Sequence, residues 1–444
     1  MEEFFSKKQT YPQFVRFVIP SIITMVFLSF YTTIDGFFVS RFVNSNALAA
    51  INIVIPITCV FFGISVMLAN GSGALVGIKL GEKNEEEANS FFSFVTLVLL
   101  VISIILTILF LVFLKPILIM LGSTEKLLPY TMTYGFVTVL MIIPMMFKLY
   151  FEYYARVDGN PKLSLLMSTV GLGLNLVFDY IFIAVFKLGI LGAGLGTFSS
   201  IAISALIGLI YFISDKSHLK FTKPKVDFKQ LLYSCYNGSS EMFTEFSTGI
   251  TTLLFNKSIL VFHGENGVAA MSIITYMYYF FIAVYFGITV GISPVISFNL
   301  GAKNLEKIKE NLKYSFISLG ISSVLIFLIS MFGGKYIILG FTADVDVYNI
   351  ACFGVKLFSF CFWAISINIF MSGYFTAIGN GTISAIISIL HTLVFVCIAI
   401  VTLPRFLGVS GIWLSVPVAE FLTVFFSMAF YFKIGRKILK PIKE

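Results

Sequence analysis

Three separated stretches of this sequence return at one fixed interval. Ala49-Ala50 recurs as Ala269-Ala270, Leu80-Gly81-Glu82-Lys83-Asn84 as Leu300-Gly301-Ala302-Lys303-Asn304, and Gly159-Asn160 as Gly379-Asn380, always at the same offset along the chain. A shared offset without gaps marks two copies of one unit, each close to half of the chain. An internal repeat of that size constrains the architecture before any single element is read.

Composition decides the medium in which the two copies fold. Hydrophobic residues make up 58% of the 444 and charged residues 12%, about half the ~25% charge of a soluble domain. Too little polar surface remains to face water. The runs Phe94 to Leu114 and Ile383 to Leu403 contain no Asp, Glu, Lys or Arg, and about 20 apolar residues cross the hydrocarbon core as a helix. Backbone groups there must satisfy one another, which leaves helices or a closed barrel. A barrel demands polar alternation on its lumen side, which is missing. The fold class expected is therefore all-α: a polytopic membrane protein of twelve transmembrane helices in two six-helix lobes.

The spans fall at about 14–38, 47–70, 90–114, 129–154, 162–186, 190–214, 230–256, 266–298, 313–333, 347–378, 383–403 and 408–432. The polar stretch Ser214 to Lys229 separates six from six. The expected division is an N-terminal lobe 1–213 (spans 1–6), a cytoplasmic linker 214–229, and a C-terminal lobe 230–444 (spans 7–12). Six is even, so both copies enter the membrane in the same direction, related by a pseudo-two-fold axis along the membrane normal, as in several transporter folds. Lys and Arg set the orientation. With the N-terminus inside, 21 basic residues fall on the inner face and 7 on the outer, so a plasma-membrane location with both termini cytoplasmic is expected. That asymmetry meets anionic lipid headgroups and accounts for the net charge of +8 without a nucleic-acid partner.

Quieter signals point the same way. Cys59, Cys235, Cys352, Cys361 and Cys397 all fall in spans at no metal-ligand spacing, so they read as small apolar packing residues. The acidic opening Met1 to Phe5 does not resemble a signal peptide. Pro20, Pro56, Pro144 and Pro294 lie inside spans and are expected to kink them.

Carboxylates inside a bilayer cost about 2.5–3.5 kcal/mol even on the most lenient scale, so those present should face a cavity or a partner. Asp35 lies in the outer third of span 1, and Asp179 in the outer half of span 5 with Asn175 one helical turn earlier on the same face. Span 6 descends, which brings Thr197 to a similar depth. Two carboxylates, an amide and a hydroxyl are hard oxygen donors suited to a proton or a small monovalent cation such as Na⁺, and unsuited to a transition metal. Glu241 and Glu245 stand one turn apart near the middle of span 7, the depth at which transporter substrates bind. The positions matching them in the first copy are Ser21 and Met25, while Asp35 and Asp179 map forward to Phe255 and Ala399. The copies share a scaffold and differ in polar chemistry.

Other polar groups read as structural. Glu152 can pair with Lys148 or Arg156, Lys356 can reach outward from span 10, and His391 stands alone among apolar neighbours as a packing histidine. Glu420 has no assigned role. Aromatics such as Phe30, Tyr31, Phe280 and Phe281 are candidates to line a cavity for flat hydrophobic cations.

The run Asp158-Gly159-Asn160-Pro161-Lys162, followed by Asn175-Leu176-Val177-Phe178-Asp179-Tyr180-Ile181-Phe182-Ile183, resembles the loop and fifth helix of the multidrug and toxic compound extrusion (MATE) family. Asp35-Gly36 with Ala47-Leu48-Ala49-Ala50, and Leu80-Gly81-Glu82-Lys83-Asn84, resemble its first helix, the entry to its second and the loop after it. The resemblance implies a monomeric carrier, not an enzyme, with two lobes around a V-shaped cavity and no cofactor. It implies export of amphipathic, often cationic compounds against H⁺ or Na⁺ by alternating access. It places the coupling ion at Asp35, Asn175, Asp179 and Thr197, and sets Glu241 where some members carry an acid in helix seven. Two departures are that span 10 contains no acid, unlike some branches, and that Tyr180 stands where many members have proline. The alternatives are a lipid-linked oligosaccharide flippase of the same superfamily, a major facilitator transporter, and a membrane-embedded enzyme. The first would want cationic cavity residues, whereas the interior offers mainly acids. The second would carry Gly-x-x-x-Asp-Arg/Lys between spans 2 and 3, which Gly77 to Ser90 does not. The third would need clustered nucleophile and base, and His218, His263 and His391 are scattered.

Overall fold

The computed structural model describes residues 10–43, 45–342 and 344–436. The side chains of residues 31–38, 40–42, 45, 46, 48 and 49 lie outside that description. Every regular element among the described residues is helical.

Spans 1 to 3 are the helices Tyr11–Phe42, Ser45–Gly81 and Glu85–Met120. Span 4 is a bent pair, Leu128–Leu140 and Ile142–Val157, turned by 47°. The break at Met141 precedes Pro144, which has no N–H to give and sits comfortably only in a first turn. Span 5 is α-helical over Pro161–Asp179 and then widens to a π-helix over Tyr180–Val185. Span 6 is Ile190–Ile213. Span 9 runs from Leu305 to Phe341 through a π-helical turn at Ile329–Gly333. Span 10 is bent by 56° between Val345–Phe358 and Cys361–Ala377, where Ser359 turns its hydroxyl back onto the Val355 carbonyl and loosens the helix. Span 11 is Gly381–Ile389, a π-helical Leu390–Val394 and Phe395–Leu407. Span 12 is Val409–Phe430 with a π-helical end at Tyr431–Gly435.

Between spans 6 and 9, the helical segment Phe228–Gly301 covers 74 residues and is kinked within. At 1.5 Å per residue such a rod would be roughly 110 Å long, several times a hydrocarbon core of about 30 Å. Gly264, with φ 58° and ψ −148°, lies in a region open only to glycine and turns the chain there. Gly189 (φ 59°, ψ −137°) and Gly408 (φ 57°, ψ −139°) take the same conformation before spans 6 and 12. Spans 7 and 8 are therefore two passes joined at Gly264. The described chain makes twelve.

The repeat is visible as geometry. Asn84 and Asn304 each cap a helix, accepting from Glu87 N at 3.2 Å and Lys307 N at 3.1 Å. Asn160 and Asn380 do the same for Leu163 N and Ile383 N at 3.2 and 3.3 Å. An Asn side chain satisfies one of the donors a helix start leaves open. Lys83 and Lys303 hold φ of 62° and 56°, Gly159 and Gly379 φ of 79° and 78°. By Gly189 and Gly408 the offset is shorter by one, a single position having been lost between spans 5 and 11.

The chain forms two compact units. One is Ile23–Gly238; the other joins the stretch that ends at Ile22 to the stretch that begins at Ser239. Within the first, spans 2 and 7 cross backbone to backbone: a Cβ on Gly71 would collide with Ser234 O, and one on Gly238 with Met67 O. Within the second, a Cβ on Gly287 would strike Ile22, and one on Gly291 would lie 3.1 Å from the Ser21 side chain. Met67 and Gly71 are the repeat counterparts of Gly287 and Gly291, so the same crossing occurs twice.

Candidate ion site in the first unit

Span 6 carries a small residue at every fourth position: Gly192, Gly196, Ser200, Ser204 and Gly208. All five are buried, and this spacing makes slightly more than one turn, so they form a seam along one side of the helix. Small seams let membrane helices approach at backbone distance. A Cβ on Gly192 would come 2.9 Å from Phe182 O, and one on Gly208 2.8 Å from Met167 Cε. Ser204 donates to Met167 O at 2.8 Å. At Gly196 the missing Cβ leaves room for the Asp179 carboxylate, which a side chain there would overlap. This seam was a sequence signal, a five-fold i, i+4 run of Gly and Ser, that a reading centred on charge passes over.

The seam seats three of the four expected ion ligands. Asn175 and Asp179, one turn apart on span 5, are both fully buried, and Thr197 is 6% exposed. Asn175 Nδ2 donates to Thr197 Oγ1 at 3.3 Å. The threonine hydroxyl donates to Ala193 O at 3.1 Å, and Ser200 donates to Thr197 O at 2.9 Å. Asp179 is the last α-helical residue before the π-helical stretch, a register change often found at functional sites. The fourth ligand, Asp35, has its side chain outside those described, though its backbone belongs to Tyr11–Phe42.

A buried apolar layer lies beside these groups: Val39, Ala47, Ala50, Ile183, Ile190 and Ala193 pack together. Asp35 precedes Val39 by one turn and Asp179 precedes Ile183 by one turn, on spans that run in the same direction. Span 6 runs the opposite way, and Thr197 follows Ala193 by one turn. All three positions thus fall to the same side of a shared layer.

The remaining expected residues sit elsewhere. Glu241 and Glu245, in the second unit, are half-buried and close enough to feel each other's charge. Glu152 does pair with Lys148, at 3.3 Å and with both side chains buried, and accepts from Ser168 at 2.7 Å. Lys356 is exposed.

One reading is corrected. His391 is not alone: its Nδ1 lies 3.2 Å from Glu420 Oε1, and Glu420 Oε2 accepts from Asn368 Nδ2 at 2.7 Å. These residues come from spans 10, 11 and 12, so the linear neighbours of His391 carried no hint of the pairing. Asp158, cited above only as part of a motif, holds the linker. Its carboxylate accepts from Tyr211 Oη at 2.6 Å and from the backbone N–H groups of His218 and Leu219 at 3.0 and 2.8 Å. Burial pushes this carboxyl above its usual range, against those hydrogen bonds, which pull it down.

Helices that cross a membrane twelve times, small-residue seams and oxygen donors buried between them define a polytopic transporter. The MatE family model matches residues 20–181 and again 240–401. The two matches begin and end at the same offset as the sequence repeat, and together cover well over half of the chain, which belongs to the MatE family. Its members are carriers, and this chain is a transporter rather than an enzyme. Multidrug export protein MepA of Staphylococcus aureus is 24% identical over 446 residues, covering 99% of this chain and 98% of its own. The fold is shared with a mutant of the Vibrio cholerae MATE transporter VcmN (20% identity, 97% and 98% of the two chains, TM-score 0.90). It is shared equally with a MOP superfamily transporter from Pyrococcus furiosus (19% identity, 99% and 98%, TM-score 0.91).

Proposed function

We propose that this protein exports amphipathic, often cationic compounds from the cell by alternating access, in antiport with H⁺ or Na⁺. The curated relative's name supports the substrate class. The excess of Lys and Arg on one face supports a plasma-membrane orientation with both termini cytoplasmic, and the repeat supports lobes close to 1–213 and 230–444 around the linker 214–229.

The observation that carries the coupling is the common level of Asp35, Asp179 and Thr197 beside the layer built on Val39, Ile183 and Ala193, with Asn175 bonded to Thr197. In that setting a buried carboxylate is costly when ionised. A proton or Na⁺ entering from outside neutralises it and lets spans 1, 5 and 6 pack more closely. Cation binding then favours the state that releases the drug outward; its loss to the cytoplasm favours the state that loads. An ion drives such an exchange only by the difference in its affinity for the two states. Glu241 and Glu245 supply negative charge on span 7 for a cationic substrate.

The test is efflux of ethidium from proteoliposomes under an imposed pH or Na⁺ gradient. The wild type exports ethidium with one gradient and not without it. Asp179→Asn and Asp35→Asn retain ethidium binding and lose driven export. Full export by either mutant removes these carboxylates from coupling.

A further inference from the structure

Span 4 ends on a buried arginine that the mechanism above does not use. Arg156 is 2% exposed, and among the described residues nothing accepts from its Nε or Nη2. Those two nitrogens form one edge of the guanidinium, the fork that grips an anion side-on. The Tyr153 ring lies 6.0 Å from Cζ, at the limit of a cation–π contact.

The repeat shows what that edge faces. In the second unit, Ser372 and Thr376 on span 10 meet Ser388 and Ser384 on span 11, at 2.8 and 2.7 Å. Their counterparts in the first unit are Glu152 and Arg156 on span 4, and Ser168 and Ser164 on span 5. The first pair forms there too, Ser168 donating to Glu152 at 2.7 Å. The second sets Arg156 opposite Ser164, whose buried hydroxyl also has no partner among the described residues. Threonine and serine satisfy each other at this place in one unit. In the other, two N–H groups and one O–H are left over at the same helix interface. Ser164 lies in the first turn of span 5, which begins at Pro161, the end at which a helix favours negative charge.

Charge argues the same way. Lys148, Glu152 and Arg156 follow at i, i+4 and i+8 down one face of span 4, all buried. Glu152 is taken by Lys148 at 3.3 Å. Asp158, just beyond Arg156, is taken by Tyr211, Ser217 and the linker. Two bases to one acid leave a positive charge over, and a buried charge without its counter-charge is costly. A water would meet the N–H groups but not the charge. The three donor atoms are closed off from solvent, so an occupant must be small and shed its water. A halide fits that description; a bulky phosphate does not.

We propose that Arg156 and Ser164 bind a chloride ion, which pins spans 4 and 5 together beside the turn that joins them. The site is separate from the one built on Asp179, and it does not depend on the antiport reading.

The test is thermal unfolding of the purified protein in a phospholipid-free detergent, followed by circular dichroism, as chloride replaces gluconate at constant sodium. The wild-type midpoint should rise and saturate, with bromide able to substitute for chloride. Ser164→Ala should need about tenfold or more chloride for half the rise, since it loses one hydrogen bond to an ion. Arg156→Gln should lose the response and, freed of its uncompensated charge, unfold no earlier than the wild type in gluconate. An arginine that only packs would leave the glutamine variant weaker in both salts alike, and that result overturns the site. So does a wild type indifferent to chloride, or a response kept unchanged by either variant. A rise with phosphatidylglycerol in place of chloride, lost in Arg156→Gln, would assign the fork to a lipid phosphate and overturn the small anion.

Discussion

Gly71 and Gly238 offer a quantitative check on the crossing of spans 2 and 7. Each lacks a Cβ where the other helix's backbone stands: Ser234 O and Gly238 N against Gly71, Met67 O and Gly71 N against Gly238. To admit one methyl, the helices must part by about 1 Å, and overpacking of this kind costs about 1–3 kcal/mol. Alanine recovers about 1 kcal/mol of helix propensity relative to glycine. Gly71→Ala and Gly238→Ala should therefore each destabilise by up to about 2 kcal/mol. One displacement relieves both collisions, so the double variant should cost clearly less than the sum, a coupling of about 0.5 kcal/mol or more. Gly173 in span 5 and Gly249 in span 7 have open space where a Cβ would go. Their alanine variants should be neutral or stabilised by up to about 1 kcal/mol. The assay is equilibrium unfolding in mixed micelles followed by circular dichroism. If Gly238→Ala unfolds like Gly249→Ala, or if the double variant is additive, the two backbones are not in contact and the argument fails.

Further outcomes follow from the same structure. Gly196→Ala drives a methyl into the Asp179 carboxylate; it should lose stability by about 1–3 kcal/mol and most driven ethidium export, and wild-type export would refute the contact. Asp158→Ala frees the N–H groups of His218 and Leu219 and should loosen the linker, read as faster protease cleavage between residues 214 and 229. Because burial raises this carboxyl, the folded state holds its proton longer than the unfolded one. Its contribution to stability is then greatest below the ordinary carboxylate range, near pH 4, and declines as pH rises above it. Asp158→Asn should flatten that slope in unfolding midpoints; an unchanged slope counts against it. Asn84→Ala and Asn304→Ala each remove a helix cap and should cost about 1 kcal/mol in the same unfolding assay, equally if the copies are equivalent.

The amino-acid sequence by itself determined the medium, the number of passes and the duplication. Membrane helices satisfy their backbones within one segment, so a run of about 20 apolar residues is readable from local composition. The repeated caps at Asn84, Asn160, Asn304 and Asn380 are local as well, each an Asn bonding within the first turn of its own helix. Asn175, Asp179 and Thr197 were legible because charge and amide groups inside apolar runs are rare, and a helix fixes which of them share a face. Tertiary structure alone decided the rest. Whether span 6 lies on span 5 closely enough for Gly196 to touch Asp179 depends on two surfaces meeting, not on either one. His391 and Glu420 belong to different spans, and no local pattern distinguishes a histidine packed among apolar residues from one that meets a carboxylate across a helix interface. The π-helical turns after Asp179 and around His391 likewise follow from how each span seats against its neighbours, a balance of packing that extends beyond the residues within the turn.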